Sequence, residues 1–398
     1  MPEYGPDSIH RLVCESKSIL REVEQEHLLD MTGELVGMTS EDPMCLYDQA
    51  PYYPRYVVWE LTLACNMRCT HCGSRAGRGR PNELGLDEML RLCDELGEMK
   101  CERLTLLGGE PLIHPHWLEI AARLRQNGTR VNVITNGWVL DSETVCDNLE
   151  EAKLSIVGIS LDGLEESHDR LRRAGSFRRI ERGMDLLRER NLPIAVVTMI
   201  TKESLPELPE LYEYIVEKGV KVWQLQIALP LGNLGRRNPL LLEAAHLERI
   251  FEIVAEKNEL HDDIRIDLAD NIGYFSPLEY EYERAAKRSR RLWTGCYAGI
   301  QVMGIDSNGD IKGCQSLPSI PRFIEGNIRE RSLRDIWNDP DSFTYNRKFT
   351  ISQLSGFCAR CEYGSLCKAG CTAAAFSYTG HIGENPMCAH RYLMERDG

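Results

Sequence analysis

Between residue 55 and about residue 230, short runs rich in β-branched residues alternate with longer runs in which apolar residues recur every three or four positions. The short runs predict strands and the longer runs predict amphipathic helices. We expect strands at 56–62, 103–107, 130–135, 154–160, 193–200 and 221–228. We expect helices at 86–99, 116–127, 177–190, 206–218 and 241–257. Strand-then-helix units require parallel strands with right-handed crossovers, so the sequence predicts an α/β fold whose sheet is either barrel-like or open and doubly wound.

The pattern changes on both sides of this region, and we expect three domains. Residues 1–54 contain an acidic helical stretch and a polar segment, and we interpret them as an N-terminal helical extension. The α/β domain covers residues 55–290 and ends in a basic run, 284–291, whose simplest interpretation is a solvated helix face. Residues 291–398 are loop-rich and include a hairpin signal, with an Asn-Gly pair at 308–309 as its turn.

Composition and charge exclude several classes of function. The net charge is −14, whereas proteins that bind nucleic acids usually carry a basic surface, so we expect no nucleic-acid partner. No apolar run reaches about 18 residues, so we expect no membrane span. The N-terminus lacks a basic region followed by an apolar stretch, and this absence of an export signal predicts a cytoplasmic protein.

The 15 cysteines are the informative residues, because thiols in a reducing compartment bind metals or take part in chemistry more often than they form disulfides. Ten of them fall into two groups, one after the first predicted strand and one in the last quarter of the chain. The scattered remainder are expected to be small buried hydrophobic residues. These are Cys14, Cys45, Cys93, Cys101 and Cys146.

The first group is Cys65, Cys69 and Cys72, with the spacing C-x3-C-x2-C, directly after the first predicted strand. Three thiolates on one loop can bind three irons of a cubane cluster and leave the fourth iron open, whereas structural zinc takes four ligands. The carboxyl ends of barrel strands are where α/β barrels place their chemistry. We therefore expect a cluster that also binds another molecule.

Small and polar residues follow other predicted strands. Gly108 and Gly109 allow close backbone approach to a ligand, and Glu110 offers a carboxylate to an ammonium group. Ser160 ends the fourth strand, and Arg172 beyond it has a guanidinium that can meet a carboxylate with two hydrogen bonds. An ordinary strand-end turn explains the Gly-Gly-Glu sequence about as well as a binding site does.

Together these motifs resemble those of radical S-adenosylmethionine (radical SAM) enzymes, over about residues 55–398. The resemblance implies a partial (β/α)6 barrel in which the first cysteine group holds a [4Fe-4S] cluster and the open iron binds S-adenosylmethionine. It further implies that one electron cleaves S-adenosylmethionine to methionine and a 5′-deoxyadenosyl radical, which abstracts a hydrogen atom from the substrate.

The resemblance also assigns cofactor contacts. The Gly-Gly-Glu sequence would bind the methionine amine, Ser160 and Arg172 would contact the ribose and carboxylate, and Asn136 would line the pocket. His71 occupies a position that is usually aromatic and packs on adenine, and an imidazole can stack similarly. The residues implied are His71, Gly108, Gly109, Glu110, Asn136, Ser160 and Arg172.

The second cysteine group is similar to the SPASM domain, which carries auxiliary iron–sulfur clusters. Its members are Cys296, Cys314, Cys358, Cys361, Cys367, Cys371 and Cys388. The similarity implies that one cluster is held by Cys358, Cys361, Cys367 and Cys388, and the other by Cys296, Cys314 and Cys371. The second set is one thiolate short, so the cluster has either an open iron or a ligand other than cysteine. A zinc ribbon is the competing interpretation of this tail alone.

SPASM proteins similar to this one most often modify peptides, so we expect a maturase that installs a carbon–carbon or thioether crosslink in a ribosomally made precursor peptide. A tetrapyrrole or other cofactor precursor is the alternative substrate. Oxidation of a protein Cys or Ser, as in sulfatase maturation, is less favoured, because Gln315 stands where that branch has an acidic residue. Expected partners are the peptide, an electron donor such as a flavodoxin or ferredoxin, and a separate leader-binding protein.

Overall fold

The computed structural model describes residues 52–236, 238–260, 264–269, 271–285 and 295–397. Its strands are β1 Tyr56–Glu60, β2 Arg103–Leu107, β3 Arg130–Thr135, β4 Ile156–Ser160, β5 Ile194–Ile200, β6 Val222–Ile227, β7 Arg265–Leu268, β8 Val302–Ile305, β9 Asp310–Lys312 and β10 Gly326–Asn327. They form one sheet in the order β10-β9-β8-β1-β2-β3-β4-β5-β6-β7.

The α/β prediction is confirmed, because β1 to β7 are parallel and neighbouring strands follow chain order. All six predicted strands are present, with bounds within two residues of those expected. The sequence did not predict β7, which has only four residues. A run this short shows no clear alternation of apolar and polar positions.

Helices alternate with these strands. They are α1 Leu86–Glu98, α2 Trp117–Gln126, α3 Glu143–Glu151, α4 Glu165–Leu171, α5 Ser176–Glu189, α6 Leu208–Glu217, α7 His246–Leu260, α8 Pro277–Ala285, α9 Leu333–Asn338, α10 Thr344–Arg347, α11 Gly364–Cys367, α12 Thr372–Thr379 and α13 Ala389–Asp397. The five helices predicted in the α/β domain are confirmed as α1, α2, α5, α6 and α7. Within the described ranges, no helix has both the length and the apolar character needed to cross a membrane.

The C-terminal hairpin extends the same sheet, which the sequence did not predict. Strand β8 pairs in parallel with β1, so that Tyr56 lies opposite Val302. Strand β9 returns antiparallel to β8. The turn between them contains the expected Gly309, whose φ of +89° is unfavourable for other residues. This pairing joins the cysteine-rich tail to the strand that precedes the first cysteine group.

A buried polar network joins the two parts of the chain where β1 ends. Glu60 Oε1 accepts hydrogen bonds from Ser307 Oγ at 2.9 Å and from Arg80 Nη2 at 3.1 Å. Lys312 Nζ lies 2.9 Å from Asp306 Oδ1 in the same network. Burial raises the pKa of Glu60, and the nearby Asp306 raises it further. Each buried charge has a partner of opposite sign, so removing one partner would leave an uncompensated buried charge between the hairpin and β1.

The two faces of the sheet differ in character. On β6, Trp223, Leu225 and Ile227 are buried among the helices, whereas Gln224 and Gln226 alternate with them on the opposite, partly exposed face. We call this opposite face the inner face. Neither glutamine side chain has a hydrogen-bond partner within the described ranges, so the inner face offers free amide groups.

Some expectations fall outside the described residues. The N-terminal extension, 1–54, is described only from residue 52, and Cys14 and Cys45 lie in the part that is not described. Most of the basic run 284–291 and the expected boundary at 290 also lie outside. The division into three domains therefore stays a prediction.

Candidate functional site

The loop between β1 and α1 brings the first three cysteines together at the carboxyl edge of the sheet. Two of their sulfur atoms accept backbone hydrogen bonds, Cys65 Sγ from Met67 N at 3.4 Å and Cys72 Sγ from Ala76 N at 3.3 Å. All three thiols are partly buried. Sulfur atoms that face N–H donors on one loop suit thiolate ligands, so these residues fit a [4Fe-4S] cluster.

Burial favours the protonated form of two of these thiols, Cys65 and Cys69. It raises the pKa of Cys65, and it raises that of Cys69 to about 11 although the Arg172 guanidinium acts in the opposite direction. Because iron binds the thiolate, loading must displace these protons. Within the described ranges, no three His, Cys, Asp or Glu side chains are close enough to share a single metal ion. The cysteines of a cubane bind different irons and lie further apart than ligands of one ion do.

The two glycines after β2 are required by close packing against the cysteine loop. A Cβ on Gly108, whose φ is +151°, would lie 2.3 Å from Thr62 O. A Cβ on Gly109 would lie 2.1 Å from Ala64 O. Gly109 N and Glu110 N donate to Thr62 O at 2.7 Å and to Ala64 O at 2.9 Å. The Gly-Gly-Glu sequence therefore fixes the backbone just before Cys65, and its contact with the methionine amine stays a prediction.

The Glu110 carboxylate is fully buried and is held by protein donors. Its oxygens accept from Thr135 Oγ1 at 2.7 Å, Asn136 N at 2.7 Å and Leu112 N at 3.1 Å. Burial raises its pKa to about 7 despite these donors. These hydrogen bonds show that the Glu110 side chain stabilises the turn that follows β3.

Asn136 links that turn to the cysteine loop. Its Nδ2 donates to Asn66 Oδ1 at 2.7 Å and lies 3.6 Å from Cys65 Sγ. Its Oδ1 accepts from Trp138 N at 2.9 Å. The structure thus places Asn136 beside the first cysteine, and its contact with a cofactor stays a prediction.

His71 and Arg172 meet at Asp162, a residue that the sequence analysis did not select. Arg172 donates through Nε at 2.5 Å and Nη2 at 3.1 Å to the two Asp162 oxygens. His71 Nε2 lies 3.0 Å from Asp162 Oδ2, and the ring is 3% exposed. The positive charge of Arg172 and the contact with His71 overcome burial and hold the pKa of Asp162 well below its usual range. His71 Nδ1 has no partner within the described ranges.

The roles expected of His71, Ser160 and Arg172 toward S-adenosylmethionine remain predictions. Ser160 lies on the inner face, in register with Val197 and then Gln224. Arg172 uses Nε and Nη2 for Asp162, so its Nη1 is the nitrogen left for a carboxylate. Asp162 follows β4 by two residues, and this strand-end position is the signal by which it could have been found.

The loop after β6 packs onto the cysteine loop, and no motif in the sequence indicated this contact. Asn233 N donates to Cys72 O at 3.0 Å, and Asn233 Nδ2 donates to Cys69 O at 2.8 Å. A Cβ on Gly232 would lie 2.1 Å from Cys72 O. These contacts cross about 160 residues of chain, so no local motif could reveal them.

In the tail, the four cysteines assigned to one auxiliary cluster line a common pocket with about 350 Å³ of empty space, open mouth included. These are Cys358, Cys361, Cys367 and Cys388. Tyr274, Phe275, Phe357 and Tyr363 form much of the remaining wall. Burial raises the pKa of all four thiols, to about 12 for Cys388. The set fits a four-cysteine cluster in an apolar pocket, and its ligand assignment stays a prediction.

The remaining tail cysteines are linked through two neighbouring residues. Tyr345 Oη accepts from Gly313 N at 3.0 Å, beside Cys314. Asn346 Nδ2 donates to Ala298 O at 2.8 Å, and Asn346 Oδ1 accepts from Thr372 Oγ1 at 2.9 Å, which joins the segments of Cys296 and Cys371. The fourth ligand of this predicted cluster stays open. Gln315 Nε2 donates to Asp306 at 2.8 Å, whereas Gln315 Oε1 is buried without a partner in the described residues.

A largely parallel sheet with a three-cysteine loop at its carboxyl edge, followed by a cysteine-rich tail, defines an iron–sulfur protein with an α/β fold. The family "Radical SAM superfamily" matches residues 59–215, and the SPASM family, "Iron-sulfur cluster-binding domain", matches residues 296–362. The chain belongs to the radical SAM superfamily and carries a C-terminal SPASM domain. It is an oxidoreductase that binds a [4Fe-4S] cluster, S-adenosylmethionine and auxiliary iron–sulfur clusters.

Three similar proteins illustrate the range of the family. The AdoMet-dependent heme synthase of Methanosarcina barkeri is 31% identical over 349 residues, which cover 85% of this chain and 97% of that protein. The mycofactocin maturase MftC of Mycobacterium ulcerans is 28% identical over 349 residues, covering 85% and 89%. Streptococcus suis SuiB bound to S-adenosylmethionine shares the fold, with a TM-score of 0.67 and 17% identity over 94% of this chain and 88% of that one.

Proposed function

We propose that this enzyme abstracts a hydrogen atom from a ribosomally made precursor peptide bound against the inner face, and so installs a crosslink. When bound, the first cluster and S-adenosylmethionine supply the 5′-deoxyadenosyl radical. Cys65, Cys69 and Cys72 would hold that cluster. The chain's own contribution is to hold the peptide beside Ser160 and to exclude water from the radical.

The observation that carries the peptide assignment is the chemistry of the inner face. Gln224 lies in register with Ser160 through Val197, and Gln226 stands two residues further on. Their unpartnered amides can donate to and accept from peptide groups. Along the inner face of β4 to β7, the charged side chains are Arg265 and Asp267, which pair with each other at 2.7 Å. The inner face of β4 to β7 therefore has no unpaired cation that could bind the carboxylates of a tetrapyrrole.

A tetrapyrrole is the second candidate substrate, and the heme synthase relative favours it. That protein is 31% identical to this chain and is covered over nearly its whole length. The acidic side chains of a tetrapyrrole would have to form ion pairs with arginine or lysine residues outside β4 to β7. The maturase relative, at 28% identity, supports the peptide to a similar degree.

Oxidation of a protein Cys or Ser fits the tail less well. The position after Cys314 holds Gln315, whose amide cannot act as a general base. The auxiliary clusters would accept the substrate electron or bind the substrate. We place the reaction in the cytoplasm, with a flavodoxin or ferredoxin as electron donor and a separate protein for leader recognition.

The test is anaerobic co-expression of the enzyme with candidate small peptides encoded beside its gene, followed by mass spectrometry. The matched control is the Cys65→Ala, Cys69→Ala, Cys72→Ala triple variant. Loss of two hydrogens that requires the three cysteines would support the peptide assignment, and fragmentation would locate the new bond. If all peptides keep their mass while an iron-containing coproporphyrin is consumed in vitro, the tetrapyrrole assignment replaces it.

A further inference from the structure

Three arginines surround the backbone of the cysteine loop, and we call them the rim arginines. Arg68 Nη1 donates to Cys65 O at 2.9 Å and to Met67 O at 2.8 Å. Arg173 Nη1 donates to Asn66 O at 2.7 Å. Arg75 Nε donates to Gly232 O at 2.8 Å, on the loop that packs against Cys72. Each guanidinium is thus anchored through backbone carbonyls next to the cluster ligands.

The rim arginines keep their positive charge unneutralised. All three side chains are exposed, and none forms an ion pair with a carboxylate of the described residues. Most other arginines near this edge do form such pairs, for example Arg170 with Glu166 and Arg178 with Glu165. Because the net charge of the chain is −14, these unpaired cations give the surface around the cysteine loop a local charge opposite to that of the whole molecule.

An aromatic side chain extends the same surface. The Trp138 ring lies under the Arg173 guanidinium at 3.5 Å and under that of Arg179 at 4.3 Å. Stacking of this kind fixes the direction of a guanidinium without neutralising its charge. The backbone N–H of Trp138 donates to Asn136, which approaches Cys65 Sγ. The surface is therefore directly connected to the residues around the first cysteine.

We propose that the rim arginines and Trp138 form the docking surface for an acidic one-electron carrier protein of the flavodoxin or ferredoxin class. The inference rests on the proposed radical chemistry, which requires one electron for each cleavage of S-adenosylmethionine. In the docked complex one electron passes from the carrier to the cluster held by the cysteine loop. The carrier is oxidised by one electron and the cluster is reduced by one, and no covalent bond forms or breaks in this step.

Charge complementarity selects this occupant. An acidic carrier would be repelled by the molecule as a whole and attracted by the rim arginines, which lie beside the cluster ligands. Contact at the carbonyls of Cys65 to Met67 brings the carrier next to the cluster ligands. A small anionic ligand would be held more tightly in a concave, buried site than on these exposed side chains.

The first experiment needs only the wild-type holoenzyme. Binding of an oxidised FMN flavodoxin is measured by calorimetry between about 20 mM and 300 mM sodium chloride. Two acidic proteins without a complementary patch repel each other, so added salt would strengthen their binding or leave it unchanged. Docking at the rim predicts that affinity falls by at least about tenfold over this range. An affinity that stays constant or rises with salt would overturn the proposal.

A charge-neutralising variant gives the second test. The changes Arg68→Gln, Arg75→Gln and Arg173→Gln keep an amide donor for each carbonyl and remove three charges. We expect flavodoxin affinity at low salt to fall about tenfold or more, with the salt dependence lost, while dithionite still reduces the clusters at the wild-type rate. A variant whose affinity and salt dependence match wild type would overturn the proposal.

The matched control removes the same charge elsewhere. Arg91, Arg125 and Arg130 are exposed, have no ion pair within the described residues, and lie away from the cysteine loop. Their triple Gln variant should bind flavodoxin within about twofold of wild type. Equal losses in both triple variants would show a general charge effect and refute a local surface. If the triple Gln variant of the rim arginines does not retain its cluster, the proposal is judged from the salt dependence of flavodoxin binding to the wild-type protein. Because binding is measured without substrate, its result does not depend on the peptide assignment.

Discussion

Replacing Gly232 by alanine should loosen the cysteine loop from a distance. Gly232 has a φ of +55°, and an added Cβ would lie 2.1 Å from Cys72 O and 2.3 Å from Gly73 O. Ordinary contacts of this kind exceed about 3 Å, so the two backbones must separate by roughly 1 Å. That shift weakens the hydrogen bonds of Asn233 to Cys72 O and Cys69 O.

The magnitude follows from two contributions. A left-handed backbone at a residue other than glycine costs about 1 kcal/mol. Overpacking against backbone adds about 1–3 kcal/mol, part of which is relieved as the hydrogen bonds lengthen. We expect local opening of the loop to become easier by roughly 2–4 kcal/mol, which corresponds to about 30- to 1,000-fold.

The assay is the release of iron to a chelator from anaerobically reconstituted protein. About one third of the iron, the share of one cluster among three, should leave faster in Gly232→Ala by at least about 30-fold. Gly73→Ala is the matched control, because an added Cβ there meets no atom within 4 Å, although Gly73 directly follows Cys72. It should stay within about twofold of wild type. Equal release from the two variants would refute the packing argument.

Three further predictions follow from the buried charges, each measured as unfolding free energy in denaturant. Burial raises the pKa of Glu110 to about 7, so its contribution to stability is fully present below about pH 4.5 and is lost as pH rises through 7. In Glu110→Gln the unfolding free energy should no longer lose the corresponding amount, about 3 kcal/mol, over this pH range. A loss equal to that of wild type would contradict the burial argument. His168 Nδ1 accepts a hydrogen bond from Asp162 N, and burial lowers the pKa of the imidazole to about 4. The stability that the neutral imidazole contributes above pH 6.5 is therefore lost as pH falls through 4. His168→Asn should remove this sensitivity to acid. Lys312→Met should lower the unfolding free energy by about 3 kcal/mol, because it leaves the buried Asp306 without its partner. The double variant Lys312→Met, Asp306→Leu should recover part of this loss. No recovery would show that the broken ion pair is not the cause of the loss.

Much of the fold could be predicted because it depends on local periodicity. In β6 the alternation of Trp223, Gln224 and Leu225 already separates the buried face from the inner face. Helix α3 was missed because most of its sequence is polar and only Cys146 and Leu149 are buried. The pairing of β8 with β1 joins residues about 245 positions apart, and periodicity contains no information about such partners.

The residues of the candidate site differ in the same way: local sequence identifies some of them, and only contacts in the folded chain identify the others. The cysteine loop could be recognised because thiols at this spacing have few other uses. Asp162 and Asn233 could not, because their importance comes from contacts made only in the folded chain, to Arg172 and to the carbonyls of Cys69 and Cys72. Glu110 was recognised as important, and the structure adds that its carboxylate is braced by Thr135 and Asn136.

Deuterium transfer into 5′-deoxyadenosine tests the proposed hydrogen abstraction most directly. The reduced holoenzyme is mixed with S-adenosylmethionine and a uniformly deuterated candidate precursor peptide, and the 5′-deoxyadenosine is analysed by mass spectrometry. We predict that 5′-deoxyadenosine gains one deuterium, and that the Cys65→Ala, Cys69→Ala, Cys72→Ala variant forms no 5′-deoxyadenosine. Unlabelled 5′-deoxyadenosine with every such peptide, together with label transferred from a deuterated coproporphyrin, would contradict the peptide assignment.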